Sequence, residues 1–166
     1  MVEKTVLALI SREKRIATAE SCTGGLLASM ITDIAGASSV FELGVVSYSN
    51  EVKRRLLGVP QEILESFGAV SYQTAEAMAK GVCELNGADY GVGITGIAGP
   101  GGGTPEKPVG LVYFSIYCAE KKDFITRELR LKGTRRQIRE ETCRLVFEEL
   151  SGLLGIFGEL KGETRL

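Results

Sequence analysis

Histidine and tryptophan are both absent from the 166 residues. Without histidine the chain cannot by itself build a Ser-His-Asp triad, an HExxH zinc site or a histidine phosphorelay, so any proton transfer falls to another side chain. An excess of either charge is also lacking. Twenty Lys and Arg stand against 21 Asp and Glu, a formal net charge of −1 that gives no overall electrostatic case for nucleic acid. Only four cysteines occur, Cys22, Cys83, Cys118 and Cys143, too far apart for a CxxC pair or a compact disulfide framework; a reducing, cytoplasmic setting is the simplest expectation. The N-terminal apolar run, Val6 to Ile10, is followed by Arg12, Lys14 and Arg15 and is too short for a signal or spanning helix, so no membrane role is expected.

Glycine is what the chain has in excess: 21 of 166 residues, against a usual share of about 7%. With 44% hydrophobic and 25% charged residues, the composition fits one domain over residues 1–166 with a sizeable core. The opening stretch has Val6, Leu9 and Ile10 on one side of a helix, although so short a run also fits a strand. Ile16 to Ala19 reads as a small-residue strand, and Leu26, Leu27, Met30, Ile31 and Ile34 form a helical face after Gly25, which puts Ser21 at a strand-to-helix junction. Further strands are expected at Leu43 to Tyr48, Tyr90 to Ile94, Val109 to Cys118 and Phe124 to Leu131, with a hairpin through Glu120 to Asp123. Short helices fit around Val52 to Leu57 and Ile63 to Phe67.

The clearest helix follows Ser71, where Ala75, Met78, Ala79, Val82 and Cys83 recur at the spacing of one buried face. Thr134 is placed to cap a last helix with Ile138, Thr142, Leu145 and Val146 inward, extended by Phe147 and Leu150. Helices interleaved with strands, plus one hairpin, predict a three-layer α/β/α sandwich with a mixed sheet. The tail keeps Leu153, Leu154, Ile156 and Phe157, which fit either docking on the domain's own surface or covering a partner subunit in a homo-oligomer.

Candidate chemistry gathers at the predicted strand ends. The Ser21 hydroxyl would face a cleft, with the amides of Cys22, Thr23, Gly24 and Gly25 available to a developing negative charge; helix capping is the competing use. A serine nucleophile needs a base, and without histidine the choices are a lysine, a carboxylate or a hydroxyl relay. Lys53 would serve if desolvation left it partly neutral, although Arg54 and Arg55 beside it also fit a solvated charge run. Tyr48 is either a sheet-end aromatic or a proton relay. Thr95 and the Gly96 amide lie beyond a central strand and before the glycine- and proline-rich segment to Pro108, a position suited either to ligand binding or to a turn. That segment has no GxxxxGK[ST] and so does not read as a phosphate loop of an ATPase. Arg135 and Arg136, next to the Thr134 cap, would grip an anion or lie in solvent.

Together, Ala19-Glu20-Ser21-Cys22-Thr23-Gly24-Gly25, Tyr48-Ser49-Asn50-Glu51-Val52-Lys53, Gly68-Ala69-Val70-Ser71, Thr95-Gly96-Ile97-Ala98-Gly99-Pro100 and Lys107-Pro108-Val109-Gly110 resemble the CinA C-terminal domain family, from about Lys4 to Leu150. The resemblance implies a compact α/β/α domain and, from the family's nicotinamide mononucleotide deamidases, hydrolysis of that pyridine nucleotide to nicotinate mononucleotide and ammonia. It implies Ser21 as nucleophile, Lys53 as general base, Tyr48 as an aid to proton transfer, and Thr95 and Arg135 as polar site residues, with no metal or organic cofactor. Many relatives carry this domain behind a part resembling a molybdopterin-binding domain, which these residues do not include. A noncatalytic phosphate or nucleotide-binding module is the alternative, and a structural oligomerisation domain a third reading.

Overall fold

The computed structural model describes residues 1–156; Phe157 of the apolar tail lies outside the described residues. The elements run α1 (Val2–Ser11), β1 (Ile16–Glu20), α2 (Leu26–Thr32), a 3-10 turn (Ala37–Ser39), β2 (Phe41–Val46), α3 (Asn50–Leu57), α4 (Gln61–Phe67), α5 (Tyr72–Asn86), β3 (Tyr90–Gly96), β4 (Leu111–Cys118), β5 (Asp123–Arg130) and α6 (Arg135–Leu153). The five strands form one sheet in the order β2-β1-β3-β4-β5. β1 pairs parallel with β2 and β3, whereas β3–β4 and β4–β5 are antiparallel. The fold is therefore the expected α/β/α sandwich with a mixed sheet.

Strand alternation sorts the core into two faces. Ile16 of β1 joins Val6, Leu9, Leu27, Ile31, Val146 and Phe147 in the layer of α1, α2 and α6. Its neighbours Ala17 and Ala19 join Leu57, Met78, Ala79, Val82 and Cys83 on the face of α3 and α5. The predicted stripe of α5 is buried throughout, and Ser71 caps that helix by accepting from the Thr74 amide at 3.2 Å. Thr134 caps α6 in a full capping box with Gln137.

Two glycines explain how α5 lies so close to the sheet. A Cβ on Gly91 would sit 2.0 Å from the Ala79 carbonyl oxygen, and one on Gly93 would sit 2.3 Å from that of Ala75.

Several boundaries differ from the sequence-based expectation. β2 ends at Val46, so Tyr48 lies in the loop before α3; Ser49 stops the strand by capping that helix at the Val52 amide. β3 runs on to Gly96, which places Thr95 inside the strand rather than in the following loop. The single residue Leu145 of the α6 stripe is only half-buried.

The chain crosses from β1 to β2 through α2 on one face and from β2 to β3 through α3, α4 and α5 on the other. The parallel strands β1, β2 and β3 end at one edge of the sheet, where such a reversal of winding opens a crevice.

Candidate active site

A cleft of about 280 Å³ opens at this edge, and Ser21, Tyr48, Lys53, Thr95 and Arg135 all line it. A groove of about 440 Å³ between β5 and α6 is larger, but Phe114, Leu129 and Leu145 line it and no nucleophile stands beside a base there.

Ser21 is the first residue after β1. Its amide donates to the Ile94 carbonyl at 2.9 Å, which ties it to the end of β3. Lys53 reaches the same point from α3. Rotation along that helix turns Lys53 inward while Arg54 and Arg55 point to solvent, so only 2% of Lys53 is exposed. Its Nζ lies 3.3 Å from Ser21 Oγ and 2.7 Å from the Ser47 carbonyl oxygen. Among the described residues, no carboxylate pairs with it. Burial drives its pKa below the ordinary lysine value of 10.5, because the ammonium has lost water without gaining a counter-charge.

Of the four amides expected to face the cleft, two are already engaged. The Gly24 amide donates to the Ser21 carbonyl at 3.1 Å, and the Gly25 amide donates to the Glu20 carboxylate at 3.0 Å. Among the described residues the amides of Cys22 and Thr23 donate to no carbonyl, and the Cys22 amide faces its own sulfur. Cys22 lines the cleft, but burial pushes its thiol up to about 12. The Thr23 side chain is fully buried off the cleft, and its carbonyl accepts from Arg139 Nε at 3.1 Å and Nη2 at 2.7 Å.

Tyr48 reaches the same cleft from the loop before α3. Its hydroxyl meets Arg135 Nη2 at 2.7 Å, and Lys53 approaches Ser21 with no tyrosine between them. Arg135 also donates from Nη1 to the Gly99 carbonyl at 2.8 Å, so its guanidinium is fixed across the cleft by two neutral acceptors. The Thr95 hydroxyl donates to the Ala69 carbonyl at 2.6 Å and fastens the α4–α5 loop, while Gly96 forms part of the cleft lining.

Three contributors were not identified from the sequence. Lys107 donates to the carbonyls of Phe67 at 2.7 Å and Val70 at 2.8 Å, bracing the loop that supplies Ala69 and Val70 to the cleft lining. Asn50 lines the cleft from the first turn of α3. Glu20 lies under the turn; the signal for it was a lone carboxylate ending a strand of small residues. Among the described residues, no group of three or more Cys, Asp or Glu side chains is placed to hold a metal ion, and no helix is long and apolar enough to cross a membrane.

The family model for the CinA C-terminal domain matches residues 1–154. A CinA-like protein of Mycolicibacterium gilvum is 54% identical over 150 residues, covering 90% of this chain and 35% of the relative. One from Desulfovibrio desulfuricans is 60% identical over 119 residues, covering 71% and 28%. The chain thus spans about a third of the length of the curated relatives it matches. Among solved structures, the competence/damage inducible protein CihA of Agrobacterium tumefaciens superposes with a TM-score of 0.86 at 43% identity, over 92% of this chain and 94% of the other. A CinA superfamily protein of Klebsiella pneumoniae gives 0.88 at 34% identity, over 94% and 96%.

Proposed function

The chain belongs to the CinA C-terminal domain family, and from that premise we propose that it is a serine amidohydrolase that converts nicotinamide mononucleotide to nicotinate mononucleotide and ammonia. The observation that carries this reading is the buried Lys53 amine, 3.3 Å from Ser21 Oγ and, among the described residues, without a carboxylate to keep it charged.

In the proposed reaction, neutral Lys53 takes the Ser21 proton as Oγ attacks the carboxamide carbon. The resulting oxyanion accepts hydrogen bonds from the amides of Cys22 and Thr23, each worth roughly 3 to 4 kcal/mol of transition-state stabilisation when well aligned. The lysine ammonium then gives its proton to the leaving nitrogen, the C–N bond breaks and ammonia departs. Lys53, neutral again, takes a proton from water, whose oxygen attacks the nicotinoyl ester. Return of that proton to Oγ frees the acid and restores Ser21. Proton transfer passes directly between Lys53 and Ser21, and Tyr48 serves by orienting Arg135. Among the described residues Arg135 has no carboxylate partner, which suits it to the substrate's phosphate.

The test is ammonia release from nicotinamide mononucleotide. Wild type is expected to turn over, and Ser21→Ala to lose at least about a thousandfold in kcat. A folded wild type that binds the nucleotide without releasing ammonia would instead favour a binding module, and full activity in Ser21→Ala would remove Ser21 as the nucleophile.

A further inference from the structure

Glu20 ends β1 directly before Ser21, and strand alternation turns its side chain to the α2 face, away from Lys53. It is 1% exposed and, among the described residues, has no cationic partner. Backbone amides take that place. Oε2 accepts from Gly25 at 3.0 Å and from Leu27 at 3.1 Å, and Oε1 accepts from Ala28 at 2.8 Å. These are the first-turn N–H groups of α2, which have no partner within the helix. The residue at the cap position, Gly25, has φ 91° and no side chain to cap with. Glu20 therefore caps α2 from the strand before it, and its charge lies where the helix dipole favours an anion.

The turn from Ser21 to Gly24 is consequently closed at both ends. One end is the covalent bond to Glu20, and the other is the amides that Glu20 holds. With those amides taken, α2 offers no first-turn donors at Gly25, Leu27 or Ala28 to a substrate anion, and of the four turn amides only those of Cys22 and Thr23 donate to no other residue among the described residues. We infer that Glu20 is a positioning residue for the nucleophile turn, holding Ser21 Oγ beside Lys53 through the three hydrogen bonds that its carboxylate accepts from backbone amides. The inference rests on the Ser21–Lys53 reading for its consequence in catalysis, but the staple itself can be measured without a substrate.

The experiment compares wild type, Glu20→Gln and Glu20→Asp in two arms: amide hydrogen exchange, and the rate at which a fluorophosphonate probe labels Ser21. Gln presents an NH2 where an oxygen accepts, and Asp keeps the charge one methylene short. In Glu20→Gln, exchange at Gly25, Leu27 and Ala28 is expected to rise about tenfold or more, since hydrogen bonds to a charged group are among the stronger ones. Labelling is expected to fall by at least about tenfold, kcat to fall with KM changed less than about twofold, and Asp to recover part of both.

Unchanged exchange at these three amides, or wild-type labelling in Glu20→Gln, would overturn the inference. If the Gln variant does not fold, Glu20→Asp decides in the same way, since wild-type exchange and labelling in it would equally overturn the staple. Absence of ammonia release from wild type, with the labelling and exchange differences present, would remove the substrate reading and leave the staple standing. A wild type that takes no label would remove Ser21 as an activated nucleophile, and the exchange arm would then decide for the staple.

Discussion

Glu20 and Lys53 are both buried ionisable side chains beside Ser21, approached from opposite faces of the sheet, yet they are solvated in very different ways. Glu20 receives three backbone N–H donors, which replace the water its carboxylate has lost. Lys53 has one carbonyl and one hydroxyl, too little to replace the hydration of an ammonium ion. A buried charge with a full set of hydrogen bonds holds structure together, and one left short of them favours its neutral form. The Glu20 side of Ser21 is thus built for rigidity, and the Lys53 side for moving a proton.

The comparison breaks most sharply at Lys53. Lys53→Met is expected to cut kcat for ammonia release by about a thousandfold, within the usual range for losing a general base. The same variant has a smaller effect on stability. Because the folded pKa of Lys53 lies below 10.5, the unfolded chain binds the extra proton in the window between the two values. Wild-type stability should therefore rise with pH across that window. Lys53→Met lacks this contribution, so thermal melts at a series of pH values should show wild type gaining on the variant as pH climbs towards 10.5. Parallel curves would mean that Lys53 titrates alike in both states.

The smallest effect is expected at Cys22, which lies between the two charges in the chain. Its thiol, pushed up to about 12 by burial, stays protonated at neutral pH. Cys22→Ser should keep activity within about twofold, because the thiol rather than the thiolate is present. A tenfold loss in an ammonia assay would bring the thiol into the chemistry.

How far the sequence could be read depended on the range of each interaction. The buried face of α5, the Thr134 cap and the strand-to-helix position of Ser21 rest on residues close in sequence, and all were legible. The grip of Glu20 on α2 is also local, but the Gly24-Gly25 pair suggested open amides and concealed that one of them serves a carboxylate. The partner of Tyr48 is Arg135, brought across the cleft by packing α6 against the sheet, so the local pattern offered only a sheet-end ring or a relay. Lys53 was ambiguous for a similar reason. Its neighbours Arg54 and Arg55 make a solvated run in the sequence, and only the orientation of α3 separates the inward lysine from the outward arginines.

Direct titration of Lys53 is the measurement closest to the central claim. With carbon-13 at the lysine ε position and Lys53→Met to assign the resonance, Lys53 is expected to titrate below 10.5, apart from surface lysines and at the same pH as the acid limb of the ammonia-release rate. A Lys53 resonance that titrates together with the surface lysines, while the rate falls at a lower pH, would contradict the assignment of Lys53 as the base.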